Sequence, residues 1–353
     1  MTLRRSSPVL CRNVRRHLQW VIGLLISVAA LAWALRDVRP AEVGQALQGA
    51  RFFYAAPAVA LILVGQVARA LSWRTILGGG LPFGRVFRAL NAGYLLNNVL
   101  PFRLGEVGRA YLISRTRQMT TAQALSSVLV ERVIDLCMLA GMLTVFVPLA
   151  AGLLGGPFVI VAVFLVPVLA LAGLLTLARR PAWLMRLVRW GVSLPARLWG
   201  GAQRLEDLFH SFVAGLAALN DRRRLATAAA FSALAWLCAG FSAWLLMLVF
   251  TPAAGVGMGF FLLVVTGLSI AVPSAPGNLG VWQAAGVAAL GVFGFTGGLA
   301  FSIAAAHHLV NYGLSSLLGA LALAQEGESL GHLAASARTL LTNDERRTTG
   351  TSG

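Results

Sequence analysis

The chain has 353 residues, 58% of them hydrophobic and 12% charged, with a mean hydropathy of +0.77. That balance excludes a water-soluble domain and marks an integral membrane protein. The net charge of +17 comes from arginine alone, and the arginines fall between apolar segments, where they set topology and meet anionic headgroups; no nucleic-acid partner is expected.

Arg4, Arg5, Arg12, Arg15 and Arg16 precede an uncharged run from His17 to Leu35. A signal peptide would carry a shorter apolar region and a small-residue cleavage site. The run therefore reads as an uncleaved first helix, Leu18–Leu35, behind a basic cytoplasmic N-terminus, residues 1–17. Five more stretches have the roughly 20 residues that a span needs. They are Phe52–Leu71, Ala122–Leu149, Pro157–Ala178, Leu225–Phe250 and Leu299–Gln325. No Asp, Glu, Lys or Arg occurs from Leu225 to Gln325.

Two further apolar stretches, Val86–Arg115 and Met258–Phe295, are interrupted by one shared pattern. Pro101–Gly105 and Pro276–Gly280 both read Pro-x-x-Leu-Gly, which occurs nowhere else in the chain. Proline and glycine break helices, and unpaired backbone groups in hydrocarbon cost several kcal/mol each. Each stretch reads as a re-entrant helix hairpin, and a break in each half points to a transport site.

With the N-terminus inside, Arg69, Arg74, Arg85, Arg88, Arg115 and Arg117 fall on the cytoplasmic side, as do residues 179–224 and Arg338, Arg346 and Arg347. The positive-inside rule favours this layout, which turns the hairpins toward opposite sides. Offsets agree between the halves: 175 from Pro101 to Pro276, 173 from Phe52 to Leu225 and 177 from Ala122 to Leu299. The expected fold is an all-α polytopic membrane protein of six spanning helices plus two re-entrant hairpins in an inverted repeat, with both termini cytoplasmic. The repeats are 18–149 and 157–325. The second carries an amphipathic insertion, 179–224, in which Trp183, Trp190, Trp199 and Phe209 are interleaved with arginines on the headgroups. A polar, disordered tail, 326–353, follows.

The first loop concentrates polarity in an apolar hairpin. Arg103 and Arg109 offer planar donor forks suited to phosphate, and Glu106 can pair with either; Asn98 lies just before them. The alternative is an interfacial turn with snorkelling arginines. Glu131, Arg132 and Asp135 lie well inside Ala122–Leu149, with Glu131 and Asp135 on one face. Charges at that depth mark either a headgroup or proton-coupling site or an ion-pair lock between this helix and the first hairpin. The second loop has no charge; Asn278 and Gln283 supply hydrogen bonds, and Trp282 lines a lipid path or sits in an interfacial belt. His307, His308, Asn311 and Tyr312 follow helical spacing; a His pair suggests a metal or a proton relay, but no carboxylate or cysteine lies near in sequence, and hydrogen-bonded core histidines are the favoured reading. Cys11, Cys137 and Cys238 are too scattered for a disulfide framework or metal site. No metal, cofactor or catalytic residue is expected, and no nucleophile triad or nucleotide fingerprint occurs.

At these residues the chain resembles the flippase-like family, the transmembrane region of lysylphosphatidylglycerol synthases and their stand-alone relatives. The resemblance rests on Leu-Pro-x-Arg-x-Gly-Glu-x-x-Arg at Leu100–Arg109, on Glu131-Arg132-x-x-Asp135 and on Pro276–Gly280. It implies a multi-pass prokaryotic inner-membrane protein. Some members translocate aminoacylated phospholipid; others accompany hopanoid, glycolipid or polyprenyl-linked pathways. The 28 residues after Gln325 leave no room for a soluble aminoacyl-transferase domain, so lipid synthesis is not implied. The family commonly has an acid after its second Pro-Gly loop and an arginine in its last span, where Gln283 and His308 stand. The expectation is thus a translocator of a phospholipid or lipid-linked anionic substrate by alternating access, or alternatively an accessory subunit of a glycosyltransferase or lipid-modifying enzyme. A membrane-embedded enzyme with Glu131 and Asp135 as acid and base is the weakest of the three.

Overall fold

The computed structural model describes residues 8–100, 104–116, 118–146 and 220–333, with residue 335 and a few positions between 165 and 176. Side chains are described from Val21 onward. Arg103, nearly all of the span Pro157–Ala178 and the insertion up to residue 219 lie outside these residues, as does most of the tail.

The described residues form helices and no strand. In chain order they are α1 (Pro8–Leu35), α2 (Pro40–Gln48), a 3-10 turn (Phe52–Tyr54), α3 (Ala55–Ile76), α4 (Phe83–Val99), α5 (Gly105–Ser114) and α6 (Thr121–Phe146). After the insertion come α7 (Arg222–Phe250), α8 (Val256–Ser269), a 3-10 turn (Pro276–Asn278), α9 (Val281–Gly291) and α10 (Gly297–Glu326). Local chemistry sets several ends. Asp221 caps α7, accepting from the backbone N–H of Arg223 at 2.9 Å and of Arg224 at 3.2 Å, which satisfies two donors that a helix start leaves free. Gly327 ends α10 in the left-handed conformation, φ +65°.

Phe52–Ile76 and Arg222–Phe250 are long and apolar enough to cross a membrane. Val21–Leu35 with Pro40–Gln48 adds a third crossing if that pair, bent by 73°, is one span. Helices α6 and α10, of 26 and 30 residues, are also long enough, but they carry the charged and histidine clusters. α2 lies between the first two apolar runs, where Pro40 stands at its first turn and its φ suits a helix start. Its Glu42 accepts from the Gly298 N–H at 2.7 Å, placing a negative charge at the N-terminus of α10, where the helix dipole favours it.

The neighbour pattern of α3 to α6 recurs in α7 to α10. α3 packs on α4 as α7 does on α8, α4 on α5 as α8 on α9, and α5 on α6 as α9 on α10. Between the halves, α4 packs on α10 and α8 on α6. The most extensive contact joins α3 to α7, and it is antiparallel. Ser72 Oγ donates to the Ala228 carbonyl at 2.9 Å, and Ser242 Oγ to the Ala58 carbonyl at 3.0 Å. The serines stand 170 positions apart (72 to 242), and so do the carbonyls (58 to 228). Each hydrogen bond is therefore the image of the other, which is what two similar halves related by a two-fold axis across the helices would produce.

Candidate functional site

The first break is built around Asn97. At the end of α4 Leu100 turns extended, φ −102° and ψ 147°. Asn97 Oδ1 accepts from the Gly105 N–H at 2.8 Å, and its Nδ2 donates to Glu106 Oε1 at 3.3 Å. Both bonds tie the start of α5 back onto α4. The hairpin closes at glycine: a Cβ on Gly105 would collide with the Gly93 carbonyl, and one on Gly108 with the Leu96 side chain.

The second break is held by a closed chain of hydrogen bonds. Gly277, Asn278 and Gly280 have φ of +72°, +53° and +83°, conformations costly for most side chains. Gln283 Oε1 accepts from the Gly280 N–H at 2.7 Å, and its Nε2 lies 2.7 Å from His308 Nδ1. His308 Nε2 is 2.9 Å from the Gly277 carbonyl. A carbonyl can only accept, so the neutral Nε2–H tautomer of His308 satisfies all three contacts. Trp282 stacks on His308, centroids 5.4 Å apart at 18°. α1 backs the loop, where Ser27 Oγ accepts from the Ala275 N–H at 2.8 Å.

The two breaks meet. Asn98 Nδ2 donates to Ser315 Oγ at 3.0 Å and Ser316 Oγ at 2.9 Å. Asn278 Nδ2 donates to Tyr312 Oη at 2.6 Å. A Cβ built on Gly277 would stand 3.4 Å from the Asn98 carbonyl. The end of α4 at Asn98 and the second Pro-x-x-Leu-Gly segment are thus anchored on one stretch of α10, His308–Ser316. Broken backbone at membrane depth is tolerated only where protein shields it, and here the end of α4 covers the second break at Gly277.

Beside the first hairpin lies a chain of buried charges. Arg109 Nη1 is 2.8 Å from Glu131 Oε2, both side chains being under 5% exposed. Arg132 Nη2 bonds Glu131 Oε1 at 3.0 Å and lies 3.4 Å from Asp135 Oδ2. Arg69 Nη1 reaches both Asp135 oxygens at 3.1 Å, and Ser232 Oγ and Trp236 Nε1 donate to the same carboxylate at 3.1 and 3.0 Å. Trp73 and Trp236 face Arg109 and Arg69 at 4.7 and 5.3 Å, a cation–π contact that strengthens as water is excluded. Three arginines, Arg69, Arg109 and Arg132, face three carboxylates, Glu131, Asp135 and the nearby Glu106. Several buried atoms of this group make no hydrogen bond: both Nη of Arg109, Nε of Arg132, Oε2 of Glu131 and Oε2 of nearby Glu106. The Arg109–Glu131 pair is close but misaligned, so its donors keep capacity for another acceptor.

The structure brings Arg109, Glu131, Arg132 and Asp135 together, with Glu106 beside Asn97 rather than on Arg109. Asn98, Asn278 and Gln283 gather at the meeting of the breaks, and Arg103 lies outside the described residues. Arg69 and the two tryptophans were not singled out from sequence. Two carboxylates beside a single arginine on α6 were the available signal, since charges so deep need further partners. Among the described residues, no group of three His, Cys, Asp or Glu side chains could hold a metal ion.

The family model for the lysylphosphatidylglycerol synthase TM region matches residues 20–319. The chain is 26% identical over 307 residues to Glycosyltransferase AglD of Haloferax volcanii, covering 77% of this chain and 49% of that protein. It therefore spans about half the length of that relative. It is also 23% identical over 331 residues to a UPF0104 membrane protein of Methanothermobacter thermautotrophicus, covering 88% of this chain and 93% of the relative.

Proposed function

The chain belongs to the lysylphosphatidylglycerol synthase TM-region family, and from that premise we propose that it moves a phospholipid or lipid-linked anionic substrate across the membrane by alternating access. Support comes from the convergence of the two broken segments on His308–Ser316 of α10, next to a buried cluster with unbonded donors. Opposed hairpins meeting over one helix form a gate that either side can open. The mirrored serine bonds between α3 and α7 favour an inverted repeat of 18–149 and 157–325, with six spans, two re-entrant hairpins and both termini in the cytoplasm. The membrane is the plasma membrane of a prokaryote. Arg103, Glu106 and Arg109 engage the anionic headgroup from the cytoplasmic leaflet, and Glu131, Arg132 and Asp135 line its path or couple it to protons. Asn98, Asn278 and Gln283 hold the tips. No bond of the substrate is made or broken.

The test is translocation in proteoliposomes, read as protection of labelled phosphatidylglycerol or a labelled polyprenyl-phosphate sugar from a membrane-impermeant quencher. Arg109 is locked to Glu131 and Trp73, so its removal would confound binding with folding; Arg103→Ala is the cleaner probe. Transport by the native protein and its loss in folded Arg103→Ala are expected. Folded protein that moves neither lipid would sink the assignment.

Similarity to a protein named a glycosyltransferase favours one second reading. In it, the chain serves as a non-transporting membrane subunit beside a glycosyltransferase or lipid-modifying enzyme. A stoichiometric enzyme partner on purification, with no transport after reconstitution, is its expected signature.

A further inference from the structure

A cavity of about 170 Å³ opens at one end of the first hairpin, lined by Arg85, Leu112, Arg115 and Glu326. It is distinct from the buried cluster: Arg115 lies six residues beyond Arg109, about 9 Å along the helix axis. Its charges are unequally matched. Glu326 Oε1 is held by Arg88 Nε at 2.6 Å. Arg115 pairs with Glu328, whose other oxygen lies 2.6 Å from His332 Nδ1. Arg85 has no acidic partner among the described residues. Three arginines against two glutamates leave one positive charge, carried by Arg85.

We propose that this cavity binds the phosphate of an anionic ligand between Arg85 and the half-exposed guanidinium of Arg115. Guanidinium recognises phosphate through parallel N–H donors. One surplus positive charge matches a phosphodiester monoanion, the form found in an anionic phospholipid or a polyprenyl-phosphate sugar. Glu326 disfavours a second negative charge, which a phosphomonoester would bring. The proposal concerns binding alone and stands whether or not the protein transports lipid.

The full chain in detergent, titrated with phosphatidylglycerol and followed by native mass spectrometry and thermal melting, decides the matter. Native protein should retain the lipid, and Arg85→Ala should weaken retention roughly tenfold, as expected for the loss of one charge-assisted contact. Arg85→Lys should retain most of it. Arg51→Ala, an exposed arginine on a different surface, should behave as native protein and so exclude a bulk charge effect. Arg85 bonds no described side chain, so melting without lipid should not change in its variants. Inorganic phosphate identifies the source of the anion. Failure of tens of millimolar phosphate to displace the lipid marks a lipid headgroup site; displacement, with melting raised by phosphate alone in native protein but not in Arg85→Ala, marks a free-phosphate site. Equal lipid retention by native protein and Arg85→Ala, with no effect of phosphate on either, overturns the proposal.

Discussion

Gln283 Nε2 lies 2.7 Å from His308 Nδ1, so the two positions that the resemblance sets against an acid and an arginine touch each other. The pair is neutral where a charged pair is implied, and it preserves the link between the second loop and α10. Gln283→Glu would set a carboxylate against the lone pair of His308, and His308→Arg would bury a cation without an acid. Each single change should cost about 2–3 kcal/mol. The double change should recover much of it, with a coupling of about 1–3 kcal/mol. Melting temperatures of the four proteins in detergent check this; additive costs would separate the two positions.

The close approach of α4 and α5 makes Gly105 sensitive. An added methyl meets the Gly93 carbonyl and Asn97 Oδ1, and neither can withdraw without opening the hairpin. Gly105→Ala should lower stability by about 2 kcal/mol or more, or prevent accumulation of folded protein. Gly141→Ala, where a Cβ meets nothing within 4 Å, should stabilise α6 by about 0.5–1 kcal/mol. Yield and melting temperature distinguish the two.

Arg109 and Glu131 are nearly dry, which separates a structural from a transport role. Removing one partner should cost about 3–5 kcal/mol, since a buried charge is left alone. Arg109→Met with Glu131→Leu should restore much of the stability. If transport stays absent in that stable double variant, the charges serve the substrate; if it returns, they serve only the fold.

Asp135 is held by two arginines, Arg69 and Arg132, one serine and one indole. Trp236→Phe removes a single donor and should cost about 1–2 kcal/mol. Asp135→Asn strips the counter-charge from Arg69 and should cost more. Reversal of that order in thermal melting would mean that Arg69 is satisfied elsewhere.

The extent of the sequence's legibility follows from which contacts are local. Apolar runs place α1, α3, α6, α7 and α10 where they are found, because lipid imposes length and composition directly. The breaks between α4 and α5 and between α8 and α9 were equally visible, because proline and glycine act on their own backbone. Arg69 was readable only as a charge at a helix end. Helix α3 instead continues to Ile76, which carries Arg69 inside the packed bundle to meet Asp135, 66 residues away. Such pairing depends on which helices touch, and hydropathy does not encode it. The approach of Asn98 to Gly277 was hidden for the same reason, although each loop announced itself.

The Asn98 and Asn278 tips share a helix of 30 residues, about 45 Å long, with no break along it. Displacing either tip alters the same nine residues, His308–Ser316, that the other tip grips. A ligand that releases one loop and shifts this stretch changes the free energy of release at the other, and by the same amount in return. Movement at one tip is thereby felt at the other through the helix that both hold.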